Sequence, residues 1–192
     1  ESRAALVVEK LKARYPEAVC ALNFGGDPWR LLVMGRLSAQ CTDARVNVVC
    51  EELFRLYPDA KSMAEAPLDA LEKLVFSCGV YKVKAKNIKD FSAMICERFD
   101  GKVPDNMDDL LTFPGVGRKI ANLILGDIYG KPAIVADTHC IRISNRLGLC
   151  ESKTPEKVEK SKRILDLAKE LQAEAKDETT AEVLDEAQDE PQ

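Results

Sequence analysis

Apolar residues recur at intervals of three and four along most of this 192-residue chain, and they do not alternate with polar residues over any convincing run. This spacing is typical of helices with one buried face, whereas a half-exposed strand needs alternation. Prolines and capping residues divide the pattern into segments. The sequence therefore predicts an all-α fold, with helices over residues 3–14, 28–39, 42–57, 62–66, 67–76, 82–99, 107–111, 119–128, 138–147 and 155–171.

The charges are unevenly distributed. The net charge of −4 argues, taken alone, against a polyanionic partner such as DNA. Residues 170–192, however, carry a net charge of −8, which leaves +4 for residues 1–169. The body of the chain is mildly basic, and residues 172–192 are predicted to form an acidic, disordered tail. No apolar run approaches the roughly 18 residues of a membrane span, so no membrane partner is expected.

The seven cysteines are dispersed and include no C-x-x-C pair. Without a recognisable secretion signal, they are interpreted as reduced thiols, mostly buried. The single histidine, His139, has no cluster of cysteines near it in the sequence. A zinc site is therefore not expected.

A glycine-rich turn between two amphipathic segments is the most informative local feature. In Pro114-Gly115-Val116-Gly117 the two glycines allow a sharp turn that presents successive N–H groups. At a helix N-terminus, such a turn can bind a phosphate oxygen. The alternative is an ordinary helix–helix turn in which glycine only solves a geometric problem.

Two ionisable residues follow this turn at helix N-termini. Lys119 lies in the first turn of a predicted helix, where the helix dipole disfavours the ammonium form and makes a nucleophilic amine plausible. The alternative is a solvated surface lysine. Asp137 directly precedes another helix, so it is either an N-cap or a rigidly held catalytic base.

Several of these motifs together resemble one protein family. They are LLTFPGVGRK at residues 110–119, VADTH at 135–139, LSAQCTD at 37–43 and GVY at 79–81. In this combination they resemble the endonuclease III family of helix-hairpin-helix DNA glycosylases. The resemblance covers residues 3–150.

This resemblance implies base excision repair of oxidised pyrimidines in duplex DNA. Lys119 matches the nucleophile that attacks C1′ of a flipped-out nucleotide, and Asp137 matches the assisting carboxylate. Strand cleavage by β-elimination at the resulting abasic site would follow. Gln40 matches the polar plug of the opened duplex, and Val80 falls at the apolar wedge.

Simpler roles stay open for several residues. Val80 is alternatively a core residue, and Gln40 a surface residue at the end of a helix. Arg118 and Arg142 are candidates for contacts with phosphate or for ion pairs with acids. A cluster of lysines could approach the DNA backbone or could be solvated: Lys82, Lys84, Lys86 and Lys89.

The resemblance also implies two helical lobes with a cleft between them. One lobe comprises residues 22–132, with the helix-hairpin-helix at about 107–128, and the other combines residues 1–21 with 133–171. The family's [4Fe-4S] cluster is held by four closely spaced cysteines near the C-terminal end, but no cysteine follows Cys150. The second lobe is therefore predicted to be incomplete, with no cofactor.

The sequence is compatible with three functions. The chain is an active repair enzyme without a cluster, a diverged relative that binds DNA with little or no catalysis, or a helical protein-interaction module. Retention of Lys119, Asp137 and Gln40 favours the first. A monomer in the bacterial cytosol or nucleoid is expected.

Overall fold

The computed structural model describes residues 3–162 and 164–169. Within these residues the regular structure is helical and no strand occurs, which confirms the all-α prediction. None of the described helices is long and apolar enough to cross a membrane. The helices are α1 (Arg3–Arg14), α2 (Pro28–Leu37), α3 (Asp43–Leu56), α4 (Ala60–Glu65), α5 (Leu68–Leu74), α6 (Tyr81–Arg98), α7 (Met107–Leu110), α8 (Arg118–Asp127), α9 (Thr138–Arg146) and α10 (Pro155–Glu159), with a 3₁₀ turn at Phe76–Cys78.

Several helices begin where the sequence supplies a capping side chain. The carboxylate of Asp27 accepts hydrogen bonds from the amides of Trp29 and Arg30 at 2.8 and 3.1 Å, and proline occupies the first position of α2. Asn106 caps α7 through the amide of Asp109 at 2.9 Å. These bonds satisfy amides that the helices themselves leave unpaired, which explains why local sequence predicts the helix starts well.

One compact unit comprises Val19–Tyr129 and contains α2 to α8. Helix α6 packs against α4 and α5, while α2 packs against α8. At the latter contact, a Cβ on Gly35 would lie 3.4 Å from side-chain atoms of Ile120 and Leu123. A Cβ at this position would be in ordinary van der Waals contact with α8, so the two helices pack directly against each other at Gly35, and this contact positions the helix that carries Lys119.

The other unit comprises Glu1–Ala18 and Gly130–Gln192, and α1, α9 and α10 belong to it. Its described residues form a separate core that includes buried side chains from both ends of the sequence: Ala4, Val8, Ala136, Leu149, Cys150, Val158, Ile164 and Leu167. Burial of this apolar surface stabilises the pairing of the N-terminal helix with segments that begin more than 120 residues later in the sequence.

The predicted helix over residues 155–171 is wrong in its continuity. Helix α10 ends at Glu159, and the chain becomes helical again only from residue 162. Between them, the Ser161 hydroxyl donates to the carbonyl of Leu149 at 3.1 Å, and the amide of Leu165 donates to the Ser161 carbonyl at 2.9 Å. Ser161 therefore starts a new turn. The predicted disordered tail, residues 172–192, lies outside the described residues.

Candidate functional site

The glycine-rich hairpin joins α7 to α8. The amide of Val116 donates to the carbonyl of Phe113 at 3.1 Å, with Pro114 and Gly115 between them. Gly115 has φ of +75°, which is typical of the third residue of a type II turn preceded by proline. The side chains of Phe113 and Val116 are buried. These two buried side chains therefore anchor the hairpin to the core, and the Val116 side chain serves packing rather than contact with a ligand.

Helix α8 begins immediately after this turn. Gly117 is its N-cap residue, and no side chain caps the helix. The first-turn amides and the positive end of the dipole form the type of N-terminus that binds phosphate oxygens. Lys119 lies in this first turn with an exposed side chain. The geometry thus presents a primary amine next to a backbone suited to an anion.

Asp137 lies in the other unit, at the N-terminus of α9. Its Oδ1 accepts a hydrogen bond from the amide of Cys140 at 2.8 Å, so Asp137 is the N-cap of this helix. The side chain is half-buried. A cap leaves the second carboxylate oxygen available for other chemistry, so the capping role and a catalytic role are compatible.

Gln40 and Val80 both adopt left-handed backbone conformations, with φ of 56° and 46°. For a β-branched residue such as valine this is a true outlier, and such strain often accompanies functional loops. The Val80 side chain is 60% exposed, which excludes the alternative that it packs in the core. A Cβ on Gly79 would lie 4.0 Å from the main-chain oxygen of Gln40, so the two segments meet.

The four lysines of the predicted cluster differ in exposure and do not form one cationic surface. Lys84 is only 1% exposed, so its candidacy for a phosphate contact is wrong. Its Nζ donates to the carbonyls of Leu37 at 2.8 Å and Ala39 at 2.6 Å, and also to that of Cys78. Burial lowers the pKa of Lys84. The ammonium therefore lies in the core, at the C-terminal ends of α2 and of the 3₁₀ turn, where the carbonyls carry partial negative charge.

The other lysines of the cluster have different environments. The ammonium of Lys89 donates to the carbonyls of Ala64 and Ala66, the latter at 2.7 Å. Lys86 forms an ion pair with Asp90 at 2.5 Å, and Lys82 is exposed. Only part of the predicted cationic cluster is therefore available at the surface.

The two candidate arginines differ in exposure. Arg118, the first residue of α8, is half-buried, whereas Arg142 on α9 is exposed. His139, next to Asp137, is also exposed. Arg118 belongs to the same unit as the hairpin, and Arg142 to the same unit as Asp137.

Sequence reasoning missed the structural role of Lys84, although a signal was present. Position 84 lies on the same helical face as Ile88, Phe91 and Ile95, at intervals of four, three and four residues. All three apolar side chains are fully buried. A lysine within an apolar stripe predicts a buried ammonium with polar partners, and here those partners are main-chain carbonyls.

The cysteines do not fit the [4Fe-4S] cluster that the family resemblance implies. All seven are free thiols, of which Cys50, Cys78 and Cys150 are buried and the other four half-buried, so fewer are buried than predicted. Among residues 3–162 and 164–169, no three or more cysteine, histidine or acidic side chains converge into a metal-binding group. A cubane cluster needs four converging thiolates, and this donor set does not supply them.

Comparisons with a family model and with curated proteins identify the same family that the sequence motifs resemble. The model of the HhH-GPD superfamily base excision DNA repair protein matches residues 33–166. Endonuclease III of Synechocystis sp. is 45% identical over 161 residues, which are 83% of this chain and 73% of that protein. Endonuclease III of Bacillus subtilis is 44% identical over 146 residues, which are 76% of this chain and 66% of that protein.

A solved structure gives the same assignment. A non-covalent endonuclease III–DNA complex matches with a TM-score of 0.76 and 38% identity, covering 84% of this chain and 76% of that one. Similarity of this extent in both sequence and fold confirms the resemblance read from the hairpin and the lysine and aspartate motifs. The chain therefore belongs to the endonuclease III family of the HhH-GPD superfamily of base excision DNA repair proteins.

Proposed function

We propose that the chain excises oxidised pyrimidines from duplex DNA and cleaves the strand at the resulting abasic site. The observation that carries this proposal is the position of Lys119. Its exposed side chain lies in the first turn of α8, directly after the hairpin, and no side chain caps the N-terminus of this helix. The uncapped amides bind a phosphate of the damaged strand. This contact brings the sugar of the lesion within reach of the amine.

In the proposed reaction the neutral amine of Lys119 attacks C1′ of the extruded nucleotide. A bond between Nζ and C1′ forms, the glycosidic bond breaks, and the damaged base leaves with the bonding electron pair and is protonated. Asp137 takes the proton released from the amine or stabilises the positive charge that develops on the sugar. Opening of the sugar ring then gives a Schiff base.

The Schiff base makes the second step feasible. Loss of a proton from C2′ drives β-elimination, in which the bond between C3′ and its phosphate oxygen breaks and the phosphate leaves. Hydrolysis of the imine by water then releases the unsaturated aldehyde and regenerates the Lys119 amine. The whole sequence consumes only water.

Gln40 and Val80 are proposed to fill the gap left in the duplex. Extrusion of a nucleotide sacrifices stacking and pairing worth a few kcal/mol, which inserted side chains and phosphate contacts must offset. Val80 is exposed and apolar, as a wedge requires, and Gln40 carries an amide that can pair with the orphaned base. Arg118 and Arg142 are proposed as phosphate contacts.

No step of the proposed reaction runs through an iron–sulfur cluster, since the cysteines do not fit one. We propose that residues 22–132 and residues 1–21 with 133–171 act as the two lobes of the enzyme, and that the enzyme is a monomer. Light scattering of the protein with and without duplex DNA tests the monomeric state.

Borohydride trapping tests the chemistry. Incubation with a duplex that contains an abasic site or an oxidised pyrimidine should give a covalent adduct, because borohydride reduces the Schiff base to a stable amine. Lys119→Gln should lower the adduct yield on the order of 100-fold or more. Lys73→Gln is the matched control, since Lys73 is an exposed helical lysine that pairs with Asp69 at 3.5 Å.

Other outcomes would point elsewhere. Salt-sensitive DNA binding without any adduct from the unmodified protein identifies a diverged relative that binds DNA without catalysis. Absence of salt-sensitive DNA affinity identifies a protein-interaction module instead. An adduct that persists in Lys119→Gln contradicts the assigned nucleophile.

A further inference from the structure

Lys84 is a buried ammonium whose hydrogen-bonding capacity is used entirely by main-chain carbonyls. An ammonium has three donors, and here they go to the carbonyls of Leu37, Ala39 and Cys78. Leu37 is the last residue of α2, and Cys78 is the last residue of the 3₁₀ turn. Both carbonyls therefore carry the partial negative charge of a helical C-terminus, which the charge-assisted bonds satisfy.

These carbonyls belong to the two segments that carry the proposed gap-filling residues. Ala39 directly precedes Gln40, and Cys78 is separated from Val80 by Gly79 alone. Both Gln40 and Val80 adopt positive φ, a conformation that their side chains disfavour and that surrounding contacts must therefore maintain. A single ammonium thus bonds to the backbone on the N-terminal side of both strained residues.

We infer that Lys84 is a positioning residue that ties the Gln40 and Val80 segments together, so that both side chains enter the gap in damaged duplex DNA as one preorganised unit. This inference rests on the proposed function. Two side chains on separately mobile loops would have to be ordered during insertion, whereas a common anchor fixes their separation beforehand. Misplacement of such groups by about 1 Å can cost ~100-fold in rate.

Lys89 provides a matched control on the same helix. Its ammonium also donates to two carbonyls, those of Ala64 and Ala66 at the C-terminal end of α4. Neither alanine adjoins a proposed DNA-contacting residue. Replacement of Lys89 therefore removes the same type of interaction from α6 without loosening the segments that carry Gln40 and Val80.

The experiment compares Lys84→Met, Lys84→Arg and Lys89→Met on an abasic site in duplex DNA and in a single-stranded oligonucleotide. The single strand has no gap to fill, so it isolates the covalent step. We expect Lys84→Met to slow borohydride-trapped adduct formation at least about tenfold on the duplex and less than about twofold on the single strand. Lys89→Met should change neither rate by more than about twofold, and Lys84→Arg should recover part of the duplex rate because it keeps the charge.

A spectroscopic readout tests positioning without chemistry. The fluorescence of 2-aminopurine next to the abasic site rises when inserted side chains unstack it. Lys84→Met should give less than about half of the rise seen with the unmodified protein. In a background that carries both Gln40→Ala and Val80→Ala, Lys84→Met should have no further effect, because non-additivity is the signature of residues that act together.

Equal slowing of Lys84→Met on duplex and single strand would overturn the inference, as would full additivity with the Gln40 and Val80 changes. If circular dichroism shows that Lys84→Met does not fold, Lys84→Arg replaces it in the comparison. Slowing on the duplex alone then supports the inference, and equal effects on duplex and single strand overturn it. If the unmodified protein forms no adduct on either substrate, the proposed chemistry fails, and the 2-aminopurine readout decides the role of Lys84 alone.

Discussion

Arg36 donates a hydrogen bond from Nε to Oδ1 of Asn87 at 2.9 Å, and this pair fills the space that a side chain on Gly115 would occupy. Arg36 lies on α2 and Asn87 on α6, so the bond joins two helices next to the hairpin. A Cβ on Gly115 would lie 2.9 Å from Cγ of Asn87 and closer still to the two bonded atoms. The hairpin therefore needs glycine here for two reasons, space and its φ of +75°.

Gly115→Ala should destabilise the protein by about 2–3 kcal/mol, because the new methyl group clashes with this pair and the backbone is strained. Urea unfolding measures the change. Gly117→Ala is the control, since Gly117 has φ of −101° and a Cβ there would meet no atom within 4 Å. Because Gly117 is the N-cap of α8, where alanine is less favourable than glycine, this substitution should cost about 1 kcal/mol or less. Equal losses in both variants would contradict this assignment.

Capping and catalysis by Asp137 can be separated by substitution. Asn caps helices about as well as Asp, so Asp137→Asn should retain the bond to the amide of Cys140 and change stability by only a few tenths of a kcal/mol. Asp137→Ala should cost about 1 kcal/mol. Both variants lose the carboxylate, so both should lose base excision. Thermal unfolding and a glycosylase assay measure the two effects, and an active Asp137→Asn would show that capping is the only role.

The indole of Trp29 donates from Nε1 to the hydroxyl of Ser92 at 2.9 Å in the core of the unit Val19–Tyr129. Ser92→Ala should cost about 1–3 kcal/mol, because it leaves a buried donor without a partner. Trp29 is the sole tryptophan of the chain, so its fluorescence follows urea unfolding directly. Ser62→Ala, in the half-buried first turn of α4, should cost less, because water can replace the hydroxyl there. A neutral Ser92→Ala would show that water replaces the hydroxyl.

The buried thiol of Cys50 should make the protein sensitive to alkaline pH. Burial, with a smaller effect from Cys78, raises the pKa of Cys50 to about 12 from an ordinary value of 9.0. Below pH 9 the thiol is neutral in both folded and unfolded chains. Between pH 9 and about 12 only the unfolded chain ionises, so the stabilising effect of the neutral thiol is progressively lost as pH rises.

Cys50→Ala tests this pH dependence. The variant should be less stable at pH 8 because it creates a cavity, but its stability should fall more slowly above pH 9. The difference in slope approaches about 1.4 kcal/mol per pH unit. Urea unfolding at pH 8, 9 and 10.5 provides the measurement. Parallel pH profiles for the two proteins would contradict a raised pKa for Cys50.

The sequence predicted those features that depend on neighbouring residues. The caps at Asp27 and Asp137 and the turn at Gly115 all act within a few residues, so their patterns are visible in the chain itself. The continuous helix over residues 155–171 was predicted for the same local reasons. The interruption coincides with the hydrogen bond from the Ser161 hydroxyl to the carbonyl of Leu149, 12 residues earlier, an interaction that helical periodicity does not reveal.

The sequence by itself determined the helical class, the hairpin and the family motifs that contain Lys119 and Asp137, because periodicity, caps and glycine turns are local properties. The apolar stripe of α6 marks position 84 as facing the core, but only the tertiary structure decided which acceptors bind the ammonium of Lys84. Lys84 and Lys86 are chemically identical and two residues apart, yet one bonds to carbonyls of two other segments and the other pairs with Asp90 at the surface. The physical reason is that burial of an ammonium requires acceptors that converge in space, and folding brings those carbonyls together from segments about 40 residues apart.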